Sequence, residues 1–138
     1  MKIFICSSKA FYKDIPEIKS GLETMGHTVI LPNSFNDPEA ESRFKLEGKE
    51  SHAKWKGDKF RLSMSKIQTA DAMLVLNFTK NDIDNYIGGA TFLEMYEMWK
   101  AGKGLFLYNP IPEGMLYDEI CAFSPVILEG DIQKVKYE

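Results

Sequence analysis

The sequence predicts an α/β fold in which a doubly wound, five-stranded parallel sheet lies between two layers of helices. Five short runs, KIFIC, TVIL, AMLVL, GLFLY and VIL, are almost continuously apolar rather than alternating, as strands buried on both faces require. Helix-length segments separate these runs, and parallel neighbours need such crossover connections. A chain of 138 residues with 44% hydrophobic content buries one core, so residues 1–138 are read as a single domain. The expected architecture is a flavodoxin-like, three-layer α/β/α sandwich.

The elements follow in order. Lys2 to Cys6 is the first strand, Ile15 to Met25 has helical spacing, and Gly26 announces a second strand at Thr28 to Leu31. Asn33 to Pro38 (NSFNDP) is a loop. Glu39 to Thr69 is charged and helix-compatible, with Gly48 and Gly57 as possible breaks. Its sparse apolar residues, Phe44, Trp55, Phe60, Leu62, Met64 and Ile67, fit a partly exposed lid or interface helix lying across the mouth of a site. Asp71 caps the third strand, Ala72 to Leu76; Ala90 to Ala101 is the third major helix and Gly104 to Tyr108 the fourth strand. Asn109 to Gly114 turns the chain into a short helix, Met115 to Phe123, and Val126 to Leu128 is the last strand.

Composition narrows the partners. A net charge of −3, a pI near 5.5 and the lack of any block of like charge give no footprint for a nucleic acid. No apolar run is long enough for a membrane span. Cys6 and Cys121 match no metal spacing, and the N-terminus enters a strand directly, without a signal peptide. A cytoplasmic protein with reduced thiols and no metal is expected. No G-x-x-x-x-G-K-[ST] occurs, and SSKAFY after the first strand lacks both G-x-G-x-x-G and the glycine of a flavin-phosphate loop. NAD, FAD and FMN are therefore disfavoured, and no cofactor is expected.

Ligands in such sheets sit beyond the strand C-termini, where the strand order reverses. The residues there are Ser7, Ser8 and Lys9, then Asn33 and Ser34, Asn77 to Gly89, and Asn109 to Pro112. The most informative stretch is DAMLVLNFTKNDIDNYIGGATFLEMYEMW: a strand, a polar loop, two glycines and a helix with Glu94 in its first turn. Gly88 and Gly89 allow close backbone approach, Thr91 offers a hydroxyl, and the helix start supplies free N–H donors. The same residues read equally as a tight turn followed by an acid favoured by the helix dipole. Ser7 and Ser8 also read as helix caps. Tyr12 reads evenly as a sugar-contacting hydroxyl or a packing aromatic. His27 reads as a turn residue and His52 as a solvated one. Phe92, Met95, Tyr96 and Trp99 form an apolar stripe that, with the sparsely apolar middle segment, predicts a homodimer.

The arrangement of ADAMLVLN, a variable loop, YIGGATFLEM, GLFLYNPIPE and a terminal VILEGDI resembles the nucleoside 2-deoxyribosyltransferase superfamily, which includes deoxynucleoside 5′-monophosphate N-glycosidases. The likeness runs from Met1 to about Asp131, with its specific motifs between Ala70 and Glu94. It implies that Glu94 is the nucleophile attacking the anomeric carbon. Gly88 falls where monophosphate-specific members bind phosphate with a serine, and Ser7 to Tyr12 forms the loop that holds sugar or phosphate. The expected ligand is a nucleoside or its 5′-monophosphate, and superfamily members pair as dimers. The expected site is thus Glu94 for catalysis, with Ser7, Ser8, Tyr12, Asn77, Gly88, Gly89, Thr91 and Asn109 for binding.

The chemistry is coherent, because cleaving an N-glycosidic bond develops oxocarbenium character that a nearby carboxylate stabilises or captures. A carboxylate at a helix N-terminus is expected to stay ionised. One departure stands out. Catalytic members carry an aspartate eight residues ahead of the position of Asp71, where this chain has Ser63, leaving Asp58, Asp82 or Asp84 as substitute acids. A catalytically silent nucleotide-binding module is therefore the alternative. GGATFLE is also similar to the P-G-G-x-G-T-x-x-E of phosphoribohydrolases, one residue short and without the proline; those enzymes act on the same bond.

Overall fold

The five apolar runs form β1 (Lys2–Cys6), β2 (Thr28–Ile30), β3 (Ala72–Val75), β4 (Gly104–Leu107) and β5 (Val126–Ile127) in a computed structural model that describes residues 1–137. They make one sheet in the order β2-β1-β3-β4-β5, with every neighbouring pair parallel. The central pairing aligns Ile3 with Ala72 and Cys6 with Val75. The order reverses between β1 and β3, so their outgoing chains diverge and leave a crevice beyond the strand ends.

Among the described residues five α-helices flank the sheet: α1 (Ile15–Thr24), α2 (Ala40–Glu47), α3 (Lys49–Thr69), α4 (Gly89–Lys100) and α5 (Tyr117–Ala122). Alternate strand residues serve opposite faces. Ile3, Ile5 and Leu74 pack with Ile15, Ile18 and Leu22 of α1. Phe4, Cys6, Met73 and Val75 pack on the other face with Ile67 of α3, Met95 and Met98 of α4, and Ile120 of α5. The strands are apolar throughout because both faces are covered, and the three-layer architecture follows.

The middle segment breaks once. Gly48 adopts φ 132° and ψ 170°, a conformation that L side chains rarely take, and it divides α2 from α3. Gly57 does not interrupt α3: interior glycine costs only about 1 kcal/mol relative to alanine, and the long helix is anchored through buried Ser63 and Ile67. A 3-10 turn over Lys9–Asp14, for which the apolar spacing gives no sign, precedes α1. His27 follows the turn at Met25 and Gly26 and bridges distant segments, with its ring nitrogens 3.0 Å from the N-terminal amine and 3.1 Å from the Val135 carbonyl. His52 is not solvated as expected; it is half-buried, with Nε2 2.9 Å from Glu41 Oε2.

The α4 stripe divides. Met95 and Met98 are in the core, whereas Leu93, Tyr96 and Trp99 are exposed, and Phe92, Tyr96 and Trp99 gather around the Phe123 ring at 5.6–6.3 Å. Among the described residues no helix is long and apolar enough to cross a membrane.

Candidate functional site

The crevice at the C-terminal ends of β1 and β3 is a cavity of about 360 Å³. Its floor is built from β1 and the loop after it (Cys6, Ser7, Ser8, Lys9, Tyr12), and one wall comes from the loop after β3 and the start of α4 (Lys80, Tyr86, Gly88 to Thr91, Glu94). The facing wall comes from the β2 loop and the middle segment, with Asn33, Glu41, Lys45, Trp55, Lys56, Lys59 and Ser63 among its residues. The segment expected to lie across the site does so.

Seven of the nine expected residues line this cavity: Ser7, Ser8, Tyr12, Gly88, Gly89, Thr91 and Glu94. Asn77 and Asn109 do not. Asn77 is 0% exposed; its Nδ2 donates to the carbonyls of Asn109 and Pro110 at 3.0 Å, and its Oδ1 accepts from the Asn109 N–H at 2.8 Å. Asn109 Nδ2 returns a bond to the Asn77 carbonyl at 3.1 Å. The pair is a clasp tying β3 to β4 where the ladder ends, and it leaves no side-chain donor of Asn77 for a ligand.

Glu94 is the sixth residue of α4, one turn deeper than expected. Burial pushes its carboxyl above the usual carboxylate range, although the Ser63 hydroxyl, the Cys6 thiol and the charges of Lys66 and Lys56 all favour the ionised form. Desolvation thus opposes the ionised form that the helix dipole was expected to favour, and Glu94 lies beyond the first turn to which the dipole's influence is confined. The same proximity pushes the Cys6 thiol up, burial first and the Glu94 charge second.

Ser63, which stands where the resemblance implies an aspartate, lies beside Glu94 in the cavity lining. It is 4% exposed and accepts a 2.7 Å hydrogen bond from Asn33 Nδ2, which leaves its own hydroxyl hydrogen available to Glu94. Asn33 Nδ2 also reaches the Lys59 carbonyl at 2.9 Å, and Asn33 Oδ1 is buried without a partner. Asp58, Asp82 and Asp84 do not line the cavity; Asp58 is engaged by Lys54 and Arg61 on the exposed side of α3. The second carboxylate of the cavity is Glu41, and its bonds to His52 and Lys56 overcome burial and lower its pKa.

The glycine pair is not there for a turn. Neither Gly88 nor Gly89 has a positive φ; a Cβ on Gly89 would project into open space, and one on Gly88 would stand 3.3 Å from the Tyr86 hydroxyl. Gly88 caps α4 without a side-chain bond and no acid occupies the first turn, so the leading N–H groups face the cavity uncompensated. Ser8 does cap the 3-10 turn, through Ala10 N at 3.4 Å, and it also accepts from Lys80 Nζ at 3.0 Å. Tyr12 lines the cavity and takes the packing role, its ring lying 5.9 Å from that of Phe35, and burial pushes its hydroxyl up to about 12.

Lys45, Lys56 and Lys59 are what sequence reasoning missed, whereas Lys9 and Lys80 fell in the loops expected beyond the strand ends. Lys9, Lys45, Lys56, Lys59 and Lys80 line the cavity against two glutamates, in a chain whose net charge is −3. They come from four separate stretches of sequence, so only the fold collects them. Comparison of the chain with protein-family models, with curated proteins and with solved structures finds no match.

Proposed function

We propose that this protein is a nucleoside 2-deoxyribosyltransferase-like enzyme that cleaves or transfers the N-glycosidic bond of a (deoxy)nucleoside or its 5′-monophosphate, with Glu94 as nucleophile. The observation that carries this reading is the position of Glu94: a half-buried carboxyl beside Ser63 and Cys6, opening into a cavity beyond the β1 and β3 strand ends. A desolvated carboxylate is a stronger partner for a developing oxocarbenium ion than a hydrated one. The N–H groups at the start of α4, Ser8 and Lys80 suit a 5′-phosphate. No cofactor is needed for this chemistry.

The test is to incubate the protein with a panel of nucleosides, deoxynucleosides and their 5′-monophosphates and to measure free base by chromatography. Base release that Glu94→Gln abolishes, with ligand affinity kept within about tenfold, is the expected result. Release at the parent rate by Glu94→Gln would refute the assignment. Ser63 favours a second reading, a binding module that keeps the pocket and has lost its acid, because the only other carboxylate lining the cavity among the described residues, Glu41, is held ionised by its partners. Binding without turnover across the panel would select it.

A further inference from the structure

The cavity gathers five lysines from several elements against two glutamates. Of its five lysines, Lys56 is bound to Glu41 at 3.1 Å, and Lys9 is shared between Ser42 Oγ at 3.3 Å and Glu39 at 3.9 Å. Lys45, Lys59 and Lys80 have no carboxylate within salt-bridge distance among the described residues. These three come from α2, α3 and the loop after β3, so they surround the space from different elements.

Lysine ammonium groups gathered around a concave, partly desolvated wall repel one another, and an anion that enters relieves this repulsion. Lys80 stands beside Ser8 and over the Tyr86 ring at 4.8 Å, next to the start of α4, and this group already suffices for one phosphate. Lys45 and Lys59 lie on the other wall, with Lys59 Nζ 5.7 Å from the centroid of Trp55. A single phosphate at the α4 end leaves them without a partner, whereas a chain of phosphates extends the negative charge toward them.

We propose that the ligand carries two or more linked phosphates, so that this site selects a nucleoside di- or triphosphate over the monophosphate. The proposal rests on the nucleotide reading of the cavity and extends it from the sugar to the phosphate chain.

Titration of the full chain with dAMP, dADP and dATP, and in parallel with inorganic phosphate, pyrophosphate and tripolyphosphate, tests it by tryptophan fluorescence and calorimetry. Trp55 in the cavity wall supplies the signal, and the inorganic series makes the result independent of the base. The expected result is that affinity rises by about tenfold or more from one phosphate to three at low salt and that the gap narrows as salt is raised. The double variant Lys45→Gln, Lys59→Gln closes the gap to within about twofold, and Lys45→Arg, Lys59→Arg retains it. Both lysines are on a solvent-facing wall, and a far-UV spectrum checks that the variants fold.

Equal affinity for one and three phosphates, or a gap unchanged in the glutamine variant, overturns the proposal. Base release measured on the same mixtures separates the two readings. Release from a preferred monophosphate keeps the N-glycosidase reading and overturns this one; tight tripolyphosphate binding without base release does the reverse.

Discussion

Replacing Asn77 by alanine should unfold the protein more easily while leaving its ligand preference alone. The side chain makes three hydrogen bonds, two donated to the carbonyls of Asn109 and Pro110 and one accepted from the Asn109 N–H, all at 2.8–3.0 Å in a fully buried position. Each is worth about 1 kcal/mol, and truncation strands three backbone groups, so the loss is about 3 kcal/mol. For a chain of this length that lowers the Tm by about 10 °C. Urea denaturation followed by tryptophan fluorescence measures it. Asn77→Asp sharpens the test, because it keeps the acceptor for the Asn109 N–H but aims a second carboxylate oxygen at two carbonyls. The introduced carboxyl then has a folded pKa above its unfolded one. The folded state therefore binds the proton more tightly, and stability falls as pH rises through that window. Asn77→Asp should accordingly be closer to the parent at pH 4 than at pH 7. A loss under 1 kcal/mol in Asn77→Ala together with abolished nucleotide binding would show that Asn77 serves the ligand, and the clasp interpretation would fall.

The remaining predictions concern Glu94, Ser63 and the α4 surface. Because burial raises the pKa of Glu94 and the ionised form is the nucleophile, the acidic limb of kcat/KM against pH should lie above the ordinary glutamate range, and Ser63→Ala should move it higher still; a limb at the ordinary value would contradict the desolvation argument. The same sign makes the folded state lose stability as pH rises from the unfolded pKa through the folded one. Glu94→Gln should therefore be more stable than the parent at pH 7, by about 1.4 kcal/mol for each unit of separation between the two, and show no such advantage at pH 3; equal melting at pH 7 would refute this. Ser63→Asp, which places a carboxyl beside Glu94, should speed base release by about tenfold or more, and an unchanged rate would mean that the acid resides elsewhere. Leu93, Tyr96 and Trp99 should bury themselves in a homodimer that Trp99→Lys dissociates, and a monomeric parent by light scattering at micromolar concentration would refute that.

What the sequence disclosed follows from which forces act locally. Strands buried on both faces carry their signature in a few consecutive residues, so all five were legible and their ends differ by a residue at most. The Gly88 to Glu94 stretch was legible for the same reason, since glycines, threonine and glutamate lie within seven consecutive positions. Helix breaks were less so: Gly48 and Gly57 look alike in sequence, and only the backbone angle forced at Gly48 distinguishes them. Asn77 misled because polar residues after a strand mark a site only when they face the crevice, and this one turns inward to replace a missing ladder rung. The Asn33–Ser63 bond spans 30 residues and the lysine wall draws on four segments, so both exist only once the chain is folded.

The two walls of the cavity differ in how firmly the rest of the molecule depends on them. The β1 loop and α4 are extensions of the sheet and its core, with Cys6, Thr91 and Met95 all buried, so changes there disturb the scaffold. The α2–α3 segment touches the core through little more than Ala40, Ser63 and Ile67, yet it supplies Glu41, Lys45, Lys56 and Lys59 to the opening. Its charged positions are therefore free to drift at small cost to folding. Changing charges on the face of this segment alone would alter what the cavity accepts while leaving the glycine pair and Glu94 in place.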